Sequence, residues 1–298
     1  MHGWIILDKP LGLGSTQGVS AVKRALRDGG YGKFKVGHGG TLDPLATGVL
    51  PIAVGEATKL AGRMLDSDKV YDFTIRFGVE TDTLDLEGAE IAKSDIRPAL
   101  AGIDAALPRF TGPIEQVPPA YSALKVDGER AYDLARAGEE VTLPSRSVVI
   151  HELSRQPDQG LGGEIDEVTL RAHVSKGTYI RSLARDIARA LGTVGHVSML
   201  RRTKAGPFTL DHSISLDKLA VAGKDRALEQ ILLPLRAGLD DIPALLLTPD
   251  QAGLLRRGQV LAGMHADDGQ YFACAGDTPV ALVEAQSGLV RVVRGFNL

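Results

Sequence analysis

The sequence predicts an α+β fold in which helices flank a mixed, mostly antiparallel sheet and a small β-barrel-like domain follows at the C-terminus. Three observations carry this. Tyr71, Phe73, Ile75 and Phe77 alternate strictly with Asp72, Thr74 and Arg76, and Val168, Leu170, Ala172 and Val174 repeat the pattern, marking two strands with one buried face each. Helical spacing recurs at Val19, Val22 and Leu26 and again at Ile180, Leu183, Ile187 and Leu191, without the regular strand–helix alternation of a parallel sheet. Beyond Asp240 the pattern is all β: Tyr271–Ala275, Val280–Ala285 and Leu289–Val293 are short runs separated by Gly-rich turns.

Taken in order, Trp4–Leu7 is an apolar strand stopped by Asp8-Lys9-Pro10. Ser15 or Thr16 can cap the helix that ends at Gly29-Gly30. Gly37-His38-Gly39-Gly40-Thr41-Leu42-Asp43-Pro44 is too glycine-dense for a helix and predicts a tight loop, after which Val49–Val54 resumes as a strand. A polar turn through Asp82, Asp85 and Gly88 leads to an amphipathic helix carrying Ile96, Leu100, Ile103 and Leu107. Residues 116–144, with their prolines, Gly128 and a helical patch near Glu129–Ala137, form a long inserted excursion of the kind that binds rather than scaffolds. Lys176-Gly177 turns the chain into a helix from about Thr178 to Gly192, and Val197–Leu200 is a strand leading into Arg201-Arg202-Thr203-Lys204. Pro234 and Pro243 bracket a boundary near Asp240, dividing the chain into domains 1–240 and 241–298.

Hydrophobic residues are 44% and charged residues 24% of the 298, an ordinary globular balance. The longest apolar runs fall far short of the ~20 residues that span a bilayer, and the N-terminus lacks a signal-peptide pattern, so a cytoplasmic protein without a membrane partner is expected. Cys274 is the only cysteine, which excludes an intramolecular disulfide and a thiolate metal cage. A formal charge of −3 does not announce a nucleic-acid binder, yet Arg171 to Lys204 holds eight basic residues against the single acid Asp186. That segment reads either as a polyanion-facing surface, with Arg181, Arg185 and Arg189 striped at four-residue steps, or as a solvated helix face.

For chemistry, the glycine loop lacks the Gly-Lys-Ser/Thr ending of a P-loop. Its glycines either shape a strained turn that projects Asp43, with Pro44 restricting it, or belong to an ordinary Asp-Pro turn. Asp82, Asp85 and Glu87 and the seven scattered histidines show no metal-ligand spacing, and no Gly-x-Ser-x-Gly elbow is present. No metal is expected.

Five ordered motifs narrow the reading: Leu7-Asp8-Lys9-Pro10 with Gly12; Gly37-His38-Gly39-Gly40-Thr41-Leu42-Asp43-Pro44-Leu45-Ala46-Thr47-Gly48; Lys69-Val70-Tyr71; Lys176-Gly177-Thr178-Tyr179-Ile180-Arg181; and Leu200-Arg201-Arg202-Thr203. Together they resemble the TruB-type pseudouridine synthases from about Gly3 to Phe208. One departure is Gly14, where the family more often has a hydroxyl residue. The tail after Asp240 resembles the family's PUA-type RNA-binding barrel in β pattern only.

The resemblance implies a pseudouridine-synthase-like sheet and isomerisation of the uridine at position 55 in the T loop of tRNA. Asp43 would be the nucleophile, attacking ribose C1′ as in a retaining glycosidase or adding to uracil C6. Arg181 would be its cationic partner and Tyr71 would stack on the extruded base, offsetting part of a flipping cost of a few kcal/mol. Tyr179 and Leu200 would line the uracil pocket, His38 would fill the gap left in the stack, and Lys9 would bind substrate or hold the first loop. Arg201, Arg202 and Lys204 would contact phosphates, giving salt-dependent affinity for the T-arm stem-loop. No cofactor is implied, because isomerisation conserves every atom, and a monomer without an obligate protein partner is expected. Two rivals are a non-catalytic tRNA-binding or folding protein of the same fold and a magnesium-dependent Asp-nucleophile hydrolase of small phosphates.

Overall fold

A computed structural model describes residues 1–122, 124–126, 128–139, 141–157 and 163–298. Ala123, Asp127 and Glu140 of the predicted excursion lie outside the described residues.

The main sheet is built from β1 (Gly3–Lys9), β2 (Ala46–Val54), β3 (Lys69–Phe77), β4 (Gly112–Gln116), β5 (Arg146–Arg155), β6 (Glu167–Val174) and β7 (Gly195–Ala205), in the spatial order β1-β2-β7-β3-β6-β5-β4. Neighbours along this path are antiparallel except β2 and β7, which run parallel with Leu200 opposite Ala46 and Arg202 opposite Gly48. Helices α1 (Ser15–Asp28) and α3 (Leu216–Lys224) pack over the β1–β2 end. Helix α2 (Ile180–Ala190) buries Ile180, Leu183, Ala184 and Ile187 against Phe73, Ile75, Val168 and Leu170. β1 is covered on both faces, which explains its unbroken apolar run: Ile5 and Leu7 face α1, while Trp4 and Ile6 join Phe208, Leu235, Phe272 and Phe296. Tyr71 and Leu200 touch both large clusters, so they stand at the seam between them.

The tail forms a five-stranded sheet ordered Ala244–Leu246, Gly269–Ala275, Thr278–Gln286, Leu289–Gly295 and Leu261–Ala262, with its own core of Val280, Val283, Ala285 and Val290. Phe272 and Phe296 dock it onto Trp4.

Two local expectations are corrected and one is refined. The helix expected from Ile96 begins only at Leu100, because Pro98 holds the preceding backbone extended, and Ile96 is 54% exposed. The turn through Asp82–Gly88 is the tip of a hairpin pairing Val79–Thr81 with Glu90–Lys93. Gly14, rather than Ser15 or Thr16, caps α1: its N–H donates to Gln17 Oε1 (2.7 Å), which frees Ser15 for another task.

Candidate active site

The loop bearing Asp43 is fixed carbonyl by carbonyl. Arg202 donates from Nη2 to Gly40 O (3.1 Å) and from Nη1 to Thr41 O (3.2 Å), while its Nε binds Val49 O (2.8 Å). Ser15 Oγ donates to Leu42 O (2.9 Å) and accepts from Leu42 N–H (2.8 Å). Ala46 N–H binds Asp43 O (3.0 Å), and Pro44 O accepts from Gly12 N–H (2.9 Å) and Lys9 Nζ (3.2 Å). Five successive carbonyls therefore have partners, and the backbone that presents Asp43 is set before any ligand arrives. Two glycines are sterically required. A Cβ on Gly39 would sit 2.6 Å from Met64 Cβ, and Gly48, at φ +99°, would drive one to 2.2 Å from Arg202 O.

Arg202 is here corrected from the expected phosphate contact, and Lys9 takes the second of its two expected roles, holding the first loop. Lys9 is 0% and Arg202 1% exposed, and each directs its donors at backbone carbonyls, Lys9 also reaching Leu13 O at 2.6 Å. Neither can meet RNA from there; they clamp the loop. Burial pulls the Lys9 ammonium down to about 8, opposed by the charge of Asp43. Losing Arg202 would strand three carbonyls at roughly 1–3 kcal/mol each. Arg202→Met is thus expected to lower the unfolding free energy by at least about 3 kcal/mol in a urea titration, with the salt slope of RNA binding unchanged. A slope reduced by about one would restore the phosphate contact.

Over the loop opens a cavity of about 880 Å³ lined by Asp43, Tyr71, Asp85, Tyr179, Arg181 and Leu200, among others. Arg181, at the start of α2 and 7% exposed, sends Nη2 to Asp43 Oδ2 at 2.9 Å and Nη1 to Asp85 Oδ2 at 3.3 Å. The same two nitrogens also donate to backbone, Nη1 to Thr83 O (2.8 Å) and Nη2 to Tyr121 O (3.1 Å). Asp43 is 46% exposed in its side chain and opens to the cavity, whereas the Asp85 side chain is 10% exposed. Asp85 is further bonded by Thr83 Oγ (2.6 Å) and Glu87 N–H (3.0 Å). Between these partners Leu84 adopts φ +63°, and its buried side chain together with the bond from Val197 N–H to Leu84 O (3.0 Å) holds that strained turn. The arrangement can keep a charged carboxylate facing an open, partly aromatic cleft.

Asp43, Tyr71, Tyr179, Arg181 and Leu200 are brought together, as sequence reading expected. His38 lies outside the lining, on the short strand Val36–His38, with Nδ1 buried and without a partner among the described residues; burial and the charge of Arg202 lower its pKa. Asp85 and Gln116 were missed. Gln116, 1% exposed, accepts from Tyr179 N–H (2.8 Å) and donates to Tyr179 O (3.1 Å), while the Arg146 guanidinium covers the Tyr179 ring at 4.6 Å. The acidic run at Asp82–Glu87 was the visible signal for Asp85; nothing in sequence pairs it with an arginine far along the chain.

The basic segment is largely neutralised, mostly by acids from elsewhere in the chain. Arg171 pairs with Asp72, Lys176 with Asp66, Arg185 with Asp186, Arg189 with Glu80 and Arg201 with Asp8. Lys204 is exposed, and Arg201 keeps a third of its side chain (34%) in solvent.

Comparison with known proteins gives these residues a lineage. Residues 27–180 match the TruB family pseudouridylate synthase (N terminal domain), and residues 181–240 match the tRNA pseudouridylate synthase B C-terminal domain. The chain belongs to the TruB family. It is 67% identical over 298 residues to tRNA pseudouridine synthase B of Novosphingobium aromaticivorans, covering 100% of this chain and 98% of the relative. It is 58% identical over 297 residues to tRNA pseudouridine synthase B of Zymomonas mobilis, covering 100% and 96%. A chain in the crystal structure of a Cbf5-Nop10-Gar1 complex superposes with a TM-score of 0.73 at 25% identity, covering 99% of this chain and 85% of the other. A TruB-family catalytic sheet thus underlies the site.

Proposed function

We propose that this chain is a tRNA pseudouridine synthase that isomerises the uridine at position 55 in the T loop, with Asp43 as its nucleophile. The observation carrying this reading is the Arg181–Asp43 contact of 2.9 Å on a fixed loop inside the cavity. A carboxylate attacking C1′, or adding to C6, must be ionised at the moment of reaction, and the guanidinium lies in direct contact to pair with that anion. Arg181 does not have to move to do so, because Asp85 and two carbonyls hold its other donors.

Tyr71, at the seam of the two cores, would stack on the extruded base, and Tyr179 and Leu200 would close on it. Base–aromatic stacking worth ~1–3 kcal/mol offsets much of the cost of flipping. His38 would fill the vacated place in the RNA stack. Lys204 and the exposed edge of Arg201 would meet phosphates, and residues 241–298 would act as a PUA-like RNA-binding domain. In this reading the protein works as a monomer without an obligate protein partner, and atom balance supports catalysis without a cofactor. No helix among the described residues is long and apolar enough to cross a membrane, which suits a cytoplasmic tRNA enzyme.

The test is mass-mapping of uridines in unmodified tRNA incubated with the pure protein in EDTA. Conversion of the T-loop uridine alone is the expected result. Unconverted but tightly bound tRNA would favour the non-catalytic binder, and chelator-sensitive turnover of small phosphates would favour the hydrolase.

A further inference from the structure

Away from the cavity, three side chains from distant parts of the chain converge on one patch. Asp68 immediately precedes β3, His173 stands on β6 between the buried Ala172 and Val174, and His151 lies on β5. Their meeting depends on a β-bulge. Register slips between Ile150, opposite Val174, and Glu152, opposite His173, leaving His151 as the extra residue. Bulges re-aim side chains; here the two imidazole rings come within 4.8 Å, centroid to centroid, at 48°.

The Asp68 carboxylate lies 3.1 Å from His151 Nε2 and 3.8 Å from His173 Nε2. All three candidate ligand atoms lie within 4.8 Å of one another. In a tetrahedral site with metal–ligand bonds of about 2.0–2.2 Å, neighbouring ligand atoms are about 3.3–3.6 Å apart. The two carboxylate–imidazole distances bracket that edge, and a small side-chain rotation closes the third. The nearest lysines are otherwise engaged: Lys69 donates to the carbonyls of Met64, Leu65 and Ser67, and Lys176 pairs with Asp66.

From this geometry we infer that Asp68, His151 and His173 form a surface site for a divalent transition-metal ion of the Zn²⁺ class. Two imidazoles and one carboxylate suit such an ion and not Mg²⁺ or Ca²⁺, which take oxygen ligands. The histidine side chains are 38% and 37% exposed, so solvent reaches the ion and supplies the remaining coordination position. Bound there, the ion ties the entry of β3 to β5 and β6 and stabilises the sheet by mass action. The site is independent of the proposed catalytic reading.

Isothermal titration of tag-free, EDTA-stripped, full-length protein with ZnCl₂ tests this. One ion per chain is expected, with a raised thermal midpoint. His151→Gln and His173→Gln, each at a side chain more than a third in solvent and outside the buried core, should each weaken binding by at least about tenfold. No saturable binding below about 100 µM Zn²⁺, a free energy weaker than about 5.5 kcal/mol, would overturn the site. So would Zn²⁺ binding left unchanged in both variants.

Discussion

Asp43→Asn is expected to lower single-turnover conversion of a T-arm stem-loop by at least about four orders of magnitude, the scale on which removing a nucleophile acts in covalent catalysis. Binding should change little. The side-chain amide is nearly isosteric with the carboxylate, and the loop is held by Arg202, Ser15, Lys9 and Gly12 through its backbone rather than through the Asp43 side chain. Arg181 would keep Asp85, Thr83 O and Tyr121 O. A stem-loop Kd within about twofold of the parent, with product formation lost, is the combined result; twofold is about 0.4 kcal/mol. Single-turnover kinetics with filter binding on the same RNA reads both.

Arg181→Met should fail in two separable ways. Its guanidinium contacts two carboxylates, so its loss leaves Asp43 without a cation and Asp85 as a buried, uncompensated charge. Removing one partner of a buried pair costs about 3–5 kcal/mol, which a denaturation curve would register as a large fall in midpoint. The rate should fall by about 10²–10³-fold or more, since a preorganised charge next to the reacting carboxylate is gone. Adding Asp85→Asn to Arg181→Met should recover most of the stability and none of the rate. Arg181→Lys should also be impaired, because a single ammonium cannot span Asp43, Asp85 and two carbonyls in the way a planar fork does. If the double variant regained activity along with stability, Arg181 would be a folding residue only.

Much of this was legible in the sequence, and the reason is period. The alternations at Tyr71–Phe77 and Val168–Val174 and the helical stripe of α2 are written by burial of one face, so they survive in a single sequence. The motifs also placed Asp43, Tyr71, Tyr179, Arg181 and Leu200 at one cavity. Less visible was what each cation touches. Lys9 and Arg202 look like RNA contacts in a basic, ordered motif, yet both stand opposite Gly48 of β2, Lys9 at the end of β1 in the antiparallel register and Arg202 on β7 in the parallel one, which directs them under the Asp43 loop. The basic run from Arg171 to Lys204 is unbalanced only along the chain; Asp8, Asp66, Asp72 and Glu80 balance it across the sheet. Asp85 and Gln116 escaped notice for the same reason, since each is defined by a partner that only the fold brings near.

The most direct measurement is a crystal structure of the Asp43→Asn protein bound to a T-arm stem-loop containing the unmodified uridine. The expected density places that uridine out of the RNA stack, its ring against Tyr71, with residue 43 within about 3–3.5 Å of C1′ or C6. A uridine still stacked in the loop, or a residue 43 side chain turned away from it, would contradict the account.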